Sequence, residues 1–162
     1  MTRNGELRLY NLLFPVWMLI WWPSPLWLIL IPLNYGLDAL VLHLSLDAAM
    51  DRRAFRRKQT WGICLAGFGG DFLGSALLFA VYAWNPSRQL TYDIAYDPFA
   101  GAASLAVTLA AVVLAGTAIY WLDVRILRRA GLDDGAARRA ARNLAIFTAP
   151  YLFLFPSGLL YR

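Results

Sequence analysis

Apolar positions along this chain gather into five long runs, separated by short polar or proline-bearing breaks. The runs cover about residues 7–22, 26–46, 61–84, 101–122 and 144–161. A helix needs ~20 largely apolar residues to cross the hydrocarbon of a bilayer, and the second, third and fourth runs have that length. The first run is short for a full span, so it thins the bilayer, crosses upright or turns back. Pro23 and Pro25 break the chain tightly between the first two runs, which predicts a close helical hairpin. Pro150 and Pro156 predict a kink in the fifth. The expected fold is all-α: one integral membrane domain over residues 1–162, with about five transmembrane or re-entrant helices.

Composition agrees with this pattern. The chain is 60% hydrophobic and only 15% charged, against about 25% charged in a typical soluble domain. With the N-terminus in the cytoplasm, thirteen of the fifteen basic residues fall on cytoplasmic segments, and only Arg88 and Arg162 fall outside. That asymmetry predicts a cytoplasmic N-terminus and an external C-terminus. Trp21, Trp22, Trp27 and Trp84 then lie at outer ends, and Trp61 and Trp121 at inner ends, where indole rings favour the headgroup level. Trp17 is the exception and is expected to pack inside or face lipid. A bacterial inner membrane or plasma membrane is the expected location. The net charge of +5 reports orientation here, and no helix-turn-helix, zinc-finger or RNA-binding pattern accompanies it, so nucleic acid is not an expected partner.

Two aspartates change the picture. Asp38 lies inside the second run and Asp71 inside the third, at similar depth on helices that must run antiparallel. A carboxylate in hydrocarbon costs at least a few kcal/mol unless compensated. Asn34 and Asp38 are spaced i, i+4, and Ser45 shares their face. Pro32 frees a carbonyl one turn earlier, and Gly36 loosens the helix further. On the third run Gly67, Gly70, Asp71, Gly74 and Ser75 cluster, and Gly70-x-x-x-Gly74 permits close helix packing. The simplest partner for that strip is the second run, across which Asp38 and Asp71 would approach each other with Asn34 and Ser75 nearby. Two close carboxylates without a Lys or Arg at their depth call for a bound proton or a monovalent cation. No other cofactor is expected, and no metal can be named. His43, about one turn toward the cytoplasm but on a different face, is a candidate proton relay.

The remaining chemistry is sparse. Cys64 is the single cysteine and excludes an internal disulfide or a cysteine-based metal cluster. The stretch Asp51–Lys58 is a basic cluster beside the membrane, a topology determinant that can also meet anionic lipid. Asp133 and Asp134 precede an Ala/Arg-rich run, which suits a helix start at the fifth segment or at the interface. The external loop repeats Tyr-Asp at residues 92–93 and 96–97, either as an interfacial helix or as an acidic mouth. Small residues crowd the fourth run, which is expected to make an oligomer contact. The Thr148–Tyr151 segment is expected to line a cavity.

The favoured expectation is a small transport protein or channel moving a cation or a proton-coupled solute through the paired aspartates. Asp38 and Asp71 would bind the ion, Asn34 would be a neutral ligand and Ser75 a helper. A homo-oligomer in the bilayer is expected. The first alternative is a non-catalytic subunit of a larger membrane complex. The second rests on Gly67-Phe68-Gly69-Gly70-Asp71-Phe72, which resembles the Gly-x-Gly-Asp signature of intramembrane aspartyl proteases. That resemblance implies a second aspartate on the preceding helix and a later proline motif, here Asp38 and Ala149-Pro150. Phe68 stands where the motif has Gly, Tyr does not precede Asp38, and Ala-Pro-Tyr replaces Pro-Ala-Leu. No Ser/His/Asp or Cys/His arrangement and no phosphate-cradling loop is evident, so a non-enzymatic role is favoured.

Overall fold

In the computed structural model the described residues are 17, 18, 21, 25, 27–46, 52–84 and 86–161. They form five α-helices: α1 (Trp27–Ser45), α2 (Arg52–Trp84), α3 (Arg88–Tyr96), α4 (Ala102–Arg129) and α5 (Asp134–Phe147). Two 3-10 turns follow, at Tyr151–Leu154 and Ser157–Tyr161. No strand occurs among the described residues. Three of the helices, α1, α2 and α4, are long and apolar enough to cross a membrane.

The long helices form a ring. α2 packs on α1 and α4, and α5 closes the circle by packing on α4 and α1. Sequence explains the tightest seam. A Cβ on Gly74 would stand 2.7 Å from the Ala111 carbonyl, and one on Gly70 would stand 2.9 Å from that of Ala115. Only glycine allows the two backbones this approach. The strip therefore serves the α2–α4 contact and not the α1–α2 contact that chain order favours. Gly67 does not join it, because nothing lies within 4 Å of its would-be Cβ.

α4 is the central packing helix of the protomer. Its Ala111, Ala115, Ile119, Val124 and Leu127 are buried, so much of its small-residue face is used against α2 and α5. It ends in a Schellman turn: Gly131 takes φ 97°, and the Leu132 amide donates to the Leu127 carbonyl at 3.1 Å, the arrangement glycine permits at a helix C-terminus. Asp133 then caps α5 by accepting from the Ala136 amide at 3.0 Å, which satisfies one of the otherwise unpaired N–H groups of the first turn. Asp134 pairs with Arg138 at 2.9 Å and with Arg128 across the turn. α5 buries Ala136, Ala137, Ala140, Ala141 and Leu144 and turns Arg138, Arg139 and Arg142 outward.

The start of α2 and the form of the fifth segment differ from the sequence expectation. α2 starts at Arg52 rather than Trp61, so the basic cluster forms the first turns of a helix longer than a bilayer is thick. The expected kinked helix over 144–161 is instead the end of α5 followed by two 3-10 turns. Pro150 has no N–H to offer the Ile146 carbonyl, and that carbonyl accepts the Tyr151 hydroxyl at 2.6 Å instead. α5 begins beside the Arg128 end of α4, and the turns that follow it bring Gly158 against the Tyr96 carbonyl of α3. Finally, most of the first apolar run lies outside the described residues. Trp17 of that run is buried, with its indole N–H donating to the Ile94 carbonyl at 3.2 Å.

The Tyr-Asp loop is α3. Its N-cap is Ser87, whose hydroxyl accepts from the Leu90 amide. Asp93 is buried and accepts from the Gln89 side-chain amide at 2.7 Å, while Asp97 accepts from the Phe99 amide. Both carboxylates thus serve local structure here.

Candidate functional site

Each of the four ring helices supplies a polar side chain to one buried region. α1 gives Asp38, α2 gives Cys64 and Asp71, α4 gives Asp123, and the residue after α5 is Thr148. Asp38 is the shared neighbour. Its carboxyl lies beside the Cys64 thiol and the Thr148 hydroxyl, which itself donates to the Leu144 carbonyl at 2.9 Å. Asp71 and Asp123 each lie close enough to feel its charge. Exposure of the three acids is 3% for Asp38, 9% for Asp71 and 0% for Asp123.

Their bonding is incomplete. Oδ1 of Asp71 and both oxygens of Asp123 find no hydrogen-bond partner among the described residues. The ion pairs among the described residues involve only Asp134, Arg128 and Arg138, at the far turn between α4 and α5. A buried carboxylate without donors or a counter-charge is costly by several kcal/mol. The region therefore favours any positive species that can reach it. Among the described residues no three His, Cys, Asp or Glu side chains are placed to hold one metal ion together. The acids are arranged as steps around Asp38 and not as a cage.

A cavity of about 510 Å³ opens onto this region, with Asp71, Asn34 and Thr148 among its lining. The wall opposite α1 and α2 is the broken segment Phe147–Phe153, which the sequence marks through Pro150. α5 ends in this wall, so its partial negative end borders the cavity and again favours positive charge. Beside Asp71, buried Gly67 leaves open space where a side chain would stand.

The residues singled out from sequence are distributed unevenly. Asp38, Asp71 and Asn34 fall in or beside the cavity region. Ser75 lies one turn from Asp71, fully buried, but its hydroxyl donates to the Phe72 carbonyl at 2.9 Å and accepts from the Trp21 indole at 3.1 Å. It is therefore committed elsewhere. Ser45 accepts from the Asn143 amide at 3.0 Å and ties α1 to α5. His43 is half-buried with Nδ1 unpartnered among the described residues, and it lies outside the set linked through Asp38.

Asp123 was missed because it falls one residue beyond the fourth apolar run and reads as the start of a polar end with Arg125. The signal was present: Ile119, Asp123 and Leu127 are spaced i, i+4, i+8 on the buried stripe of α4. Compared with protein-family models, curated proteins and solved structures, the chain matches none.

Proposed function

We propose that this chain is a small membrane transport protein in which Asp38, Asp71 and Asp123 bind and exchange a proton or monovalent cation coupled to solute movement. The observation that carries the reading is the convergence of three buried carboxylates, from three different helices, on a region without a basic partner among the described residues. Intramembrane acids in that condition mark ion and proton pathways. Asp38 is the exchange point, because it neighbours both others. Asp71 meets the cavity, and Asp123 lies toward the Arg128 end of α4.

In this reading α1, α2 and α4 cross the bilayer, and α5 with its two 3-10 turns makes a broken crossing. Such discontinuous helices are tolerated at membrane depth where they line a cavity. The first apolar run supplies the remaining segment, with the N-terminus cytoplasmic and the C-terminus outside. Copies of the chain associate in the membrane through exposed apolar faces, and the basic start of α2 meets anionic headgroups.

The test is flux in reconstituted vesicles. Wild-type protein moves protons or cations down an imposed gradient, and Asp38→Asn and Asp71→Asn stop that movement while the purified variants keep the wild-type oligomeric profile. Undiminished flux in the double variant refutes the reading.

A further inference from the structure

The cavity beside Asp71 has a composition that defines a ligand class. Its volume, about 510 Å³, lies within the roughly 300–1,000 Å³ typical of small-molecule sites. Its walls are mainly apolar and strongly aromatic: Trp17, Trp27, Phe68, Phe147, Tyr151 and Phe153 all line it. Trp27 and Phe68 stack at 5.8 Å with planes 6° apart. Against this background stand one carboxylate, Asp71, and the neutral polar groups of Asn34 and Thr148. Among the described residues no Lys or Arg lines it.

Asp71 is nine-tenths buried yet faces the cavity, and its Oδ1 has no partner among the described residues. An anion would meet this carboxylate, two further acids behind it and the negative end of α5. A neutral solute would leave the carboxylate uncompensated. A cation with apolar substituents satisfies both parts of the wall: its charge faces Asp71, and its hydrocarbon lies on ring faces, whose electron density attracts cations. A strongly hydrated ion such as Na+ gains nothing from such walls.

The mouth indicates the route. Leu33, Leu37, Phe147 and Leu152 line the cavity and are 55%, 41%, 68% and 54% exposed. They lie on α1 and on the end and break of α5, so the opening is bordered by side chains suited to lipid rather than to water. An amphiphile already dissolved in the bilayer reaches this mouth directly.

We propose that the cavity binds a lipophilic organic cation, taken from the bilayer and held between Asp71 and the surrounding aromatic rings. This rests on the transport reading and names the solute class of the same site. Cation and proton then compete for Asp71, so binding weakens as pH falls. The titratable groups facing Asp71 are Asp38 from α1 and Cys64 on its own helix, with Asp123 of α4 beyond Asp38 and Tyr151 on the opposite wall.

The experiment compares tetraphenylphosphonium and tetraphenylborate, ions of similar shape and opposite charge, by equilibrium binding to the purified full-length protein in lipid nanodiscs. Proton release is followed in weakly buffered solution. The phosphonium binds saturably, the borate does not compete, and Asp71→Asn weakens binding at least tenfold. Phe68→Leu weakens it by roughly two- to thirtyfold, the range a ring–cation contact supports. Equal affinity for the two ions, or undiminished phosphonium binding by Asp71→Asn, overturns the proposal. If Asp71→Asn fails to assemble, the comparison of opposite charges on wild-type protein decides alone. Saturable, charge-selective binding without proton release supports the ligand class and sinks proton exchange. No phosphonium binding beside Asp38-dependent proton flux overturns the ligand class alone.

Discussion

Replacing one glycine of α2 with alanine is expected to weaken the protein at residue 74 and strengthen it at residue 67. At Gly74 the new methyl would lie 2.7 Å from the Ala111 carbonyl oxygen, 2.8 Å from Cε2 of Phe153 and 3.0 Å from Cβ of Ala115. Comfortable separations begin near 3.5 Å, so α2 must retreat from α4 by about 0.8 Å or tilt. Two of those three neighbours are backbone or a Cβ and have no rotamer to change. Overpacking of this kind costs about 1–3 kcal/mol. At Gly67 a methyl enters open space, with nothing within 4 Å. Both variants gain the same helix preference of alanine over glycine, up to about 1 kcal/mol. That gain cancels in the comparison, and the difference between the variants isolates the steric effect. Reversible unfolding in mixed micelles, followed by circular dichroism, measures it. Gly67→Ala should exceed Gly74→Ala in stability by about 1–3 kcal/mol, roughly a five- to 150-fold change in the folded-to-unfolded ratio. Equal stabilities would refute the placement of α2 against α4.

Three further outcomes follow from named contacts. Asp123→Leu removes a fully buried carboxyl whose two oxygens lack partners among the described residues; it should stabilise the protein by about 1–3 kcal/mol while abolishing flux, and lost stability with retained flux would make Asp123 structural. Asp133→Ala deletes the α5 cap and should cost about 1 kcal/mol, read by the same unfolding assay and localised by faster amide exchange in the first turn of α5. Tyr151→Phe removes the 2.6 Å bond to the Ile146 carbonyl; a loss of about 0.5–1.5 kcal/mol together with faster exchange at the Thr148–Tyr151 break is expected, and unchanged exchange would show that the bond does not hold the break.

Much of the architecture was legible because lipid-facing helices announce themselves as apolar runs of fixed length. α1, the outer part of α2 and most of α4 follow from that rule alone. The prolines at 150 and 156 marked the fifth segment as irregular, but a kink and a change to 3-10 turns give the same local sequence signal. The Phe153 amide donates to the Pro150 carbonyl at 3.0 Å and closes a 3-10 turn there, a choice that the local sequence does not mark. Glycine spacing revealed a packing strip on α2 without saying which helix it meets. Chain adjacency favoured α1, whereas Ala111 and Ala115 on α4 supply the small complementary face. Of the acidic region, Asp38 and Asp71 were visible as charges inside apolar runs. Asp123 was hidden by a boundary drawn at the charge itself, although the apolar stripe continues to Leu127. Thr148 and Cys64 carry no charge to betray them, and only packing brings both to Asp38.

The central claim is that Asp38 passes positive charge between the other two acids inside the membrane. Vesicles loaded with a pH-sensitive dye and holding either wild-type protein or Asp38→Asn test it directly, under an imposed potential with tetraphenylphosphonium present. The account predicts a change of internal pH that depends on wild-type protein and vanishes in Asp38→Asn at equal incorporation. The same internal pH change with both proteins would contradict it.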